Sequence, residues 1–191
     1  VALLENRGYY HNNAQNEFAG RELRYLLDPL QPADAWFYQQ IKQDIDFHLN
    51  VNPDDKLGVT KVWVDVLMRN GDKAIGIVGT GMELSSFLKE MVDISQPGVT
   101  TLFADRSGAI QLYRDPRFID YASVTKPEGS KNTLDLLIQE PDELQRLQTI
   151  MADLRSDAAN QGQVRSDFVT LDGKRHLVGI AYLPSIGWYE L

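Results

Sequence analysis

Cysteine is absent from this chain of 191 residues. Without thiols the protein cannot form disulfides, cysteine-ligated zinc sites, iron–sulfur clusters or a thiol-based catalytic centre. The absence leaves the cellular compartment open, because it suits a reducing cytosol and a bacterial envelope equally well. The histidines His11, His48 and His176 stand far apart without metal-ligand spacing, so the sequence predicts no metal and no other cofactor.

Positive charge and long apolar runs are also scarce. Lys and Arg number 19 against 27 Asp and Glu, which gives a net charge of -8. Such a surface repels a phosphate backbone, so no nucleic-acid partner is predicted. No run approaches the roughly 20 apolar residues of a membrane helix. We therefore expect contact with a membrane only through flanking transmembrane helices that are not in this chain.

Two parts of the chain carry the same order of hairpin signals. An apolar strand followed by an acidic turn ends at Gly8 and again at Gly108, and an Asn-Gly turn at Gly71 is matched by an Asp-Gly turn at Gly173. Such dipeptides between apolar strands are strong hairpin signals. Apolar residues at helical spacing predict helices over residues 36–49 and 142–154 between the hairpins, and a helix over residues 83–93 that joins the halves.

These patterns predict an α+β fold of two tandem modules, each an antiparallel sheet with helices packed on it. We place the modules at residues 1–92 and 93–191. Two small modules in one chain favour a sensor or binding domain over an enzyme, and we predict no catalytic residues. The segment Gly79-Thr80-Gly81 superficially resembles a dinucleotide-binding turn, but Leu84 stands in the place of the third glycine.

One predicted strand, residues 61–69, has two chemically different faces. Alternation places valines and a methionine on one face, and Lys61, Trp63 and Asp65 on the other. A solvated face explains the charges but not a large aromatic between them, whereas the wall of a ligand pocket explains all three. Upstream, Asp34 is a candidate helix N-cap, followed by three aromatic residues that could close such a pocket: Trp36, Phe37 and Tyr38.

The chain resembles the extracytoplasmic double-Cache, PAS-related sensor domains of bacterial transmembrane signalling proteins, particularly those that precede diguanylate cyclases. The resemblance covers nearly the whole chain and lies in segments 34–37, 48–53, 60–66, 75–81 and 183–189. It implies a periplasmic location, an upstream stalk helix, flanking membrane helices and a homodimer in the full-length protein. It also implies that a ligand binds in the first, membrane-distal module.

The amino-acid-binding branch of that family provides a more detailed comparison. Trp36-Phe37 matches its aromatic pair, and Trp63 with Asp65 matches its aromatic-x-Asp motif. Asp34 stands where the family has Arg, and Gly81 stands where it has a further Asp. Lys61 or Arg24 would then have to bind any acid group on the ligand. The predicted ligand-binding residues are Arg24, Trp36, Phe37, Tyr38, His48, Asn50, Lys61, Trp63 and Asp65.

Three functions remain open from the sequence, the third being a soluble nucleotide-dependent enzyme. The first is a non-enzymatic sensor domain that binds a small polar metabolite, such as an organic acid, and signals across the membrane to an output such as a diguanylate cyclase. The alternative is a structural or protein-interaction module without a small-molecule ligand.

Overall fold

The computed structural model describes residues 1–54, 59–92, 96–156, 158–160 and 162–191. The α-helices in these ranges are α1 (Ala35–Gln43), α2 (Leu84–Met91) and α3 (Pro141–Ser156). The strands are β1 (Ala2–Leu3), β2 (Gly8–Tyr10), β3 (Leu23–Leu26), β4 (Phe47–Asp54), β5 (Val59–Asn70), β6 (Lys73–Glu83), β7 (Phe103–Asp105), β8 (Ile110–Leu112), β9 (Val164–Leu171), β10 (Lys174–Leu183) and β11 (Trp188–Glu190).

The first sheet has six strands in the order β3-β2-β1-β6-β5-β4. Its short N-terminal strand β1 lies in the interior, where Ala2 pairs with Tyr9 on one side and with Ile77 on the other. Directly opposed residues of an antiparallel ladder share a face. Ala2, Tyr9 and Ile77 are all buried, so this face of the sheet belongs to the core.

The second sheet has five strands in the order β8-β7-β11-β10-β9. Helix α3 covers one face, where Leu147 and Leu154 pack into a core with Val169, Ile180 and Tyr189. The phenol of Tyr189 donates a 2.7 Å hydrogen bond to the Met151 carbonyl, which fixes the helix on the sheet. The predicted α+β fold of two antiparallel sheets with packed helices is confirmed.

Both predicted long hairpins form, β5–β6 and β9–β10. Gly71, Asp172 and Gly173 have positive φ values of 59°, 51° and 72°, which Gly and Asp tolerate better than other residues. The two hairpins occupy different places in their sheets, because β6 lies beside β1 whereas β11 separates β10 from β7. The sequence repeat therefore predicts the hairpins correctly but not their positions.

The first helix is shorter than the predicted span of residues 36–49. It ends at Gln43, because Asp44 adopts a left-handed conformation with φ 56°, and strand β4 begins at Phe47. Ile45, which extends the helical spacing in the sequence, is exposed. The later helices match their predictions closely, and the joining helix α2 is followed by a turn in which the Val99 amide donates to the Gln96 carbonyl.

By packing, the described residues group into two compact units. The first unit comprises Val1–Asn50 and Val62–Met82, and the second comprises Val51–Lys61 and Glu83–Leu191. The proposed boundary between residues 92 and 93 stays a prediction, because a grouping by packing does not show which segments fold independently. No helix in the described part of the chain is both long and apolar enough to cross a membrane.

Candidate ligand site in the first unit

Helix α1 lies over the strand face that the sequence marked as chemically mixed. The Gln40 amide donates a 3.2 Å hydrogen bond to the Asp65 carboxylate, and the exposed fractions of these residues are only 1% and 6%. Leu67 is also buried on this face, whereas Val66, on the opposite face, is 40% exposed. The half-polar face is therefore covered around Asp65 and Leu67, where the carboxylate lies beneath a helix, and the opposite face is buried at Val62.

Burial raises the pKa of Asp65 to about 6. Removing a carboxylate from water disfavours its charged form. The hydrogen bond from Gln40 acts in the opposite direction but does not cancel the effect of burial. Asp65 therefore changes charge close to neutral pH, unlike an ordinary surface aspartate.

Glycine at position 79 makes room for this carboxylate. A Cβ atom built on Gly79 would collide with Asp65 Oδ1 and would approach the Val64 carbonyl oxygen to 2.8 Å. Even alanine at position 79 would therefore displace the carboxylate or the strand. The glycine-rich end of β6 positions Asp65, which supports the structural interpretation of Gly79-Thr80-Gly81 over a nucleotide-binding one.

Strand β4 supplies two further polar side chains, His48 and Asn50. The Leu67 amide donates a 2.9 Å hydrogen bond to the Asp46 carbonyl. Continued without a bulge, this antiparallel register sets His48 opposite Asp65 on the same face of the sheet. The helical spacing in the sequence predicts His48 at the end of a helix, which is wrong because the chain is already a strand there.

Several buried polar atoms of these side chains have no hydrogen-bond partner among the residues that the structure describes. They are Gln40 Oε1, His48 Nε2 and Asn50 Oδ1. Asn50 is 3% exposed, and burial lowers the pKa of His48, which favours its neutral form. Buried polar groups are normally satisfied, so these three atoms, on elements that adjoin Asp65, call for an explanation.

The aromatic residues of α1 border this polar region. The Trp36 ring meets the Tyr9 ring edge-on at 6.3 Å and the Phe37 ring at 5.8 Å, so α1 packs on the buried face of β2. Phe37 is fully buried and serves as core. The Tyr38 hydroxyl donates to the Leu27 carbonyl at 3.3 Å, a contact outside the polar cluster. Trp36 is the member of the predicted trio best placed to border a ligand.

A chain of ring contacts connects Arg24 with Trp63. The Arg24 guanidinium lies 4.0 Å from the centre of the Phe18 ring. Phe18 contacts His11 at 5.7 Å, and His11 contacts Trp63 at 6.4 Å. Trp63 is half-buried and Arg24 is exposed, so the arginine lies at the outer end of this chain.

Asp34 occupies the N-cap position of α1, but its side chain does not cap the helix. It is 1% exposed and accepts a 3.0 Å hydrogen bond from the Asp28 amide, which closes the loop between them. The predicted side-chain cap is therefore wrong, because the loop amide competes for the carboxylate. Lys61 is half-buried in β5 and groups with the second unit.

The second unit contains two cavities that the sequence analysis did not predict. One, of about 580 Å³, has an apolar lining that includes Leu102, Leu137 and Val178. The other, of about 450 Å³, lies between α3 and the β7–β8 turn and is bordered by Arg106 and Arg155. Their linings combine segments far apart in the sequence, so no local motif could have indicated either cavity.

Solved structures share this fold at low sequence identity. The ligand-binding domain of the Pseudomonas aeruginosa PAO1 amino acid chemoreceptor PctB in complex with L-Gln aligns with a TM-score of 0.58, 11% identity, and coverage of 99% of this chain and 64% of that chain. The ligand-binding domain of the Pseudomonas fluorescens chemoreceptor CtaA in complex with L-leucine gives a TM-score of 0.51, 16% identity, and coverage of 85% and 57%.

An extracellular domain assigned to a histidine kinase, soHK1S-Z6, aligns with a TM-score of 0.53, 14% identity, and coverage of 85% of this chain and 53% of that chain. No protein-family model matches the sequence. The chain spans about three-fifths of the length of the chemoreceptor domains that it matches. At these identities the likeness establishes the fold alone: the chain has the fold of these extracellular and ligand-binding domains.

Proposed function

We propose that the chain is the extracytoplasmic sensor domain of a membrane signalling protein and that its first unit binds a small polar metabolite. The observation that carries the proposal is a set of polar atoms on Gln40, His48 and Asn50 that have no partner in the described part of the chain and lie on elements around buried Asp65. The arrangement supports binding rather than catalysis.

The chemistry of the cluster favours a ligand that donates hydrogen bonds. Gln40 Oε1 and Asn50 Oδ1 are acceptors, and the Asp65 carboxylate accepts whenever it is ionised. A primary amine or ammonium group would satisfy these acceptors and would pair with the buried charge. Arg24 is exposed and stacks on Phe18, so the described contacts of the first unit favour an amine-bearing metabolite over a simple organic acid.

The neighbouring rings suit the same ligand. Trp36 and Trp63 are each half-buried, and each contacts another ring of the first unit. Indole faces attract cations and also bury apolar carbon atoms. We therefore expect the ligand to carry a small apolar part beside its amine.

Binding would act by changing the spacing of α1 and β5. Gln40 and Asp65 form a direct hydrogen bond across this gap. A ligand that inserts between them shifts the equilibrium between two arrangements by its differential affinity for them. As a double-Cache domain in a periplasmic homodimer, the chain would pass this shift through flanking membrane helices to an output such as a diguanylate cyclase.

A melting screen tests the proposal. Ethanolamine, putrescine, histamine and L-alanine serve as amine probes, and succinate serves as an acid probe. We expect at least one amine to raise the melting temperature of the protein, because a ligand that binds only the folded state stabilises it. The Asp65→Asn variant should lose the response, whereas the exposed control Asp72→Asn should keep it.

Failure of every amine to stabilise the protein would contradict the proposal, as would an equal response of the Asp65→Asn variant. A response to succinate alone, lost in Arg24→Gln, would instead support the organic-acid form of the hypothesis.

A protein-interaction function is the second candidate, and the exposed face of the β9–β10 hairpin favours it. Val164, Phe168 and Leu177 are 67%, 43% and 66% exposed, and Phe168 lies directly opposite Leu177 in the ladder. We propose a second copy of this chain as the occupant. Analytical ultracentrifugation should then detect dimers that Leu177→Lys disrupts, while a monomer at all accessible concentrations would exclude this interface.

A further inference from the structure

The smaller cavity of the second unit combines an apolar floor with a cationic rim. It measures about 450 Å³ and lies between α3, the turn after β7 and strand β11. Its floor includes Leu134, Met151 and Tyr189, all buried. Ligand cavities of several hundred Å³ commonly have such apolar linings with a few polar groups that orient the ligand.

The first cationic group, Arg106, is held by the backbone. Its guanidinium atoms lie so close to Gly187 that a Cβ atom there would approach Arg106 Nε to 2.9 Å, and Gly187 has a positive φ of 69°. Asp105 holds the turn that carries Arg106 by accepting hydrogen bonds from the amides of Ser107 and Ala109 at 2.8 and 3.0 Å. The turn that carries Arg106 is therefore held by Asp105, and its guanidinium lies against Gly187.

The second cationic group, Arg155, comes from the last turn of α3. Its Nη1 donates to the Arg106 carbonyl at 3.4 Å, which brings the two arginines to the same rim. Both positive charges act electrostatically on the buried Tyr189 phenol, which lies between α3 and the second sheet. Burial raises the pKa of Tyr189, and the charges of Arg155 and Arg106 oppose that rise.

The described residues leave both guanidinium charges without an acidic partner. Ion pairs form elsewhere in the second unit, but among described residues none involves Arg106 or Arg155. Asp135 also borders the cavity, and a hydrogen bond from the neutral Thr133 hydroxyl does not offset its carboxylate, so the lining combines two guanidinium groups with one carboxylate. In a chain with a net charge of -8, two adjacent unneutralised arginines form a local site for an anion.

Neutral hydrogen-bonding side chains complete the rim. Ser107 and Gln148 both line the cavity beside the arginines. The Ser107 hydroxyl donates to Asp105 at 2.7 Å and lies 3.4 Å from the Lys131 ammonium, which is itself paired with Glu128 at 2.8 Å. Guanidinium groups bind carboxylate and phosphate oxygens with directed, charge-assisted hydrogen bonds.

We infer that this cavity is a second ligand site, which takes a small molecule with an apolar body and one anionic head group, a carboxylate or a phosphate. The head group lies between Arg106 and Arg155, and the apolar body lies on Leu134 and Met151. The site is chemically opposite to the proposed amine site of the first unit, so one chain would respond to two different classes of metabolite.

Calorimetric titration with three matched probes tests the inference. Benzoate carries the carboxylate, phenyl phosphate carries the phosphate, and benzamide has the shape of benzoate without its charge. We expect one or both anions to bind the intact 191-residue chain, and the tighter of the two identifies the head group. Benzamide should bind at least about tenfold more weakly, because it lacks the charge-assisted hydrogen bonds.

Two arginine variants locate the site. Arg155→Gln and Arg106→Gln should each weaken the anionic probe about tenfold or more, whereas Arg165→Gln, an exposed arginine outside the lining, should leave it within about twofold. Absence of binding by both anions would overturn the inference. Equal weakening by Arg165→Gln would do the same. Asp65→Asn should not alter benzoate affinity, so this test is independent of the amine site.

Discussion

Replacing Asp65 with asparagine should remove a pH dependence from the stability of the protein. The carboxylate is 6% exposed, and burial raises its pKa from 3.8 to about 6. The folded protein therefore binds this proton more tightly than the unfolded chain does. The contribution of Asp65 to the free energy of unfolding is fully present below its unfolded pKa of 3.8 and is lost as the pH rises through its folded pKa of about 6.

The size of the effect follows from the shift. One pKa unit corresponds to about 1.4 kcal/mol, so the complete loss is about 3 kcal/mol. Between about pH 5 and pH 8 the wild-type chain should lose about 1.4 kcal/mol relative to the Asp65→Asn variant. Asparagine keeps the shape of the side chain and an acceptor for Gln40, so the comparison isolates the charge.

Urea unfolding of both proteins, followed by tryptophan fluorescence, measures this difference. Contributions from titrating groups that do not interact with Asp65 cancel when the variant is compared with wild type at each pH. The Val1 amino group contributes to the difference, because burial lowers its pKa and the charge of Asp65 opposes that effect. Asp72→Asn, an exposed aspartate in the β5–β6 turn, should give a curve parallel to that of the wild type. Parallel curves for wild type and Asp65→Asn would refute the burial of an ionisable carboxylate beneath α1.

Two further substitutions test packing and charge burial. Gly79→Ala should lower the free energy of unfolding by about 1–3 kcal/mol, because the new methyl group collides with the buried Asp65 carboxylate. Gly179→Ala is the control and should change this free energy far less, because its Cβ atom would meet only an ordinary 3.5 Å contact. Equal effects of the two substitutions in urea unfolding would contradict this reasoning. Lys126→Met should cost about 3 kcal/mol, because it leaves Asp120, which is 0% exposed, without its cation. Arg117→Met removes a solvent-exposed ion pair and should cost much less in the same assay.

Turn chemistry made the hairpins predictable from the sequence. Gly71 and Gly173 follow residues that tolerate tight turns, and both turns form where they were predicted. The place of each hairpin in its sheet was not predictable, since β11 pairs with β7 and β10 through contacts that connect distant parts of the chain. Local patterns specify elements, whereas sheet order depends on tertiary packing.

The first helix shows why a regular apolar spacing can mislead. Phe37 and Ile41 belong to α1, and Ile45 and Leu49 continue the same interval beyond its end. Asp44 ends the helix in a left-handed conformation, which this short polar residue adopts more readily than most. The preference of Asp44 for such a cap is weaker than that of glycine, so the sequence signal for the helix end is faint.

The candidate site was predictable in composition but not in arrangement. Alternation along β5 correctly separated Asp65 from the valines, and a large aromatic between charges indicated partial burial of Trp63. Gln40 was missed, because an amide on a helix carries no distinctive signal until the helix is placed over the strand. Arg106 and Arg155 were missed for a similar reason, because 48 residues lie between them in the sequence and only the fold brings them together.

Proton release on ligand binding tests the amine site most directly. Calorimetry near pH 6, in two buffers with different ionisation enthalpies, reports the protons released as each amine probe binds. Asp65 is about half protonated at that pH, so an ammonium ligand that pairs with its carboxylate should release about 0.5 proton per molecule bound. Binding without proton release, or the same release from Asp65→Asn, would contradict a ligand seated on this buried carboxylate.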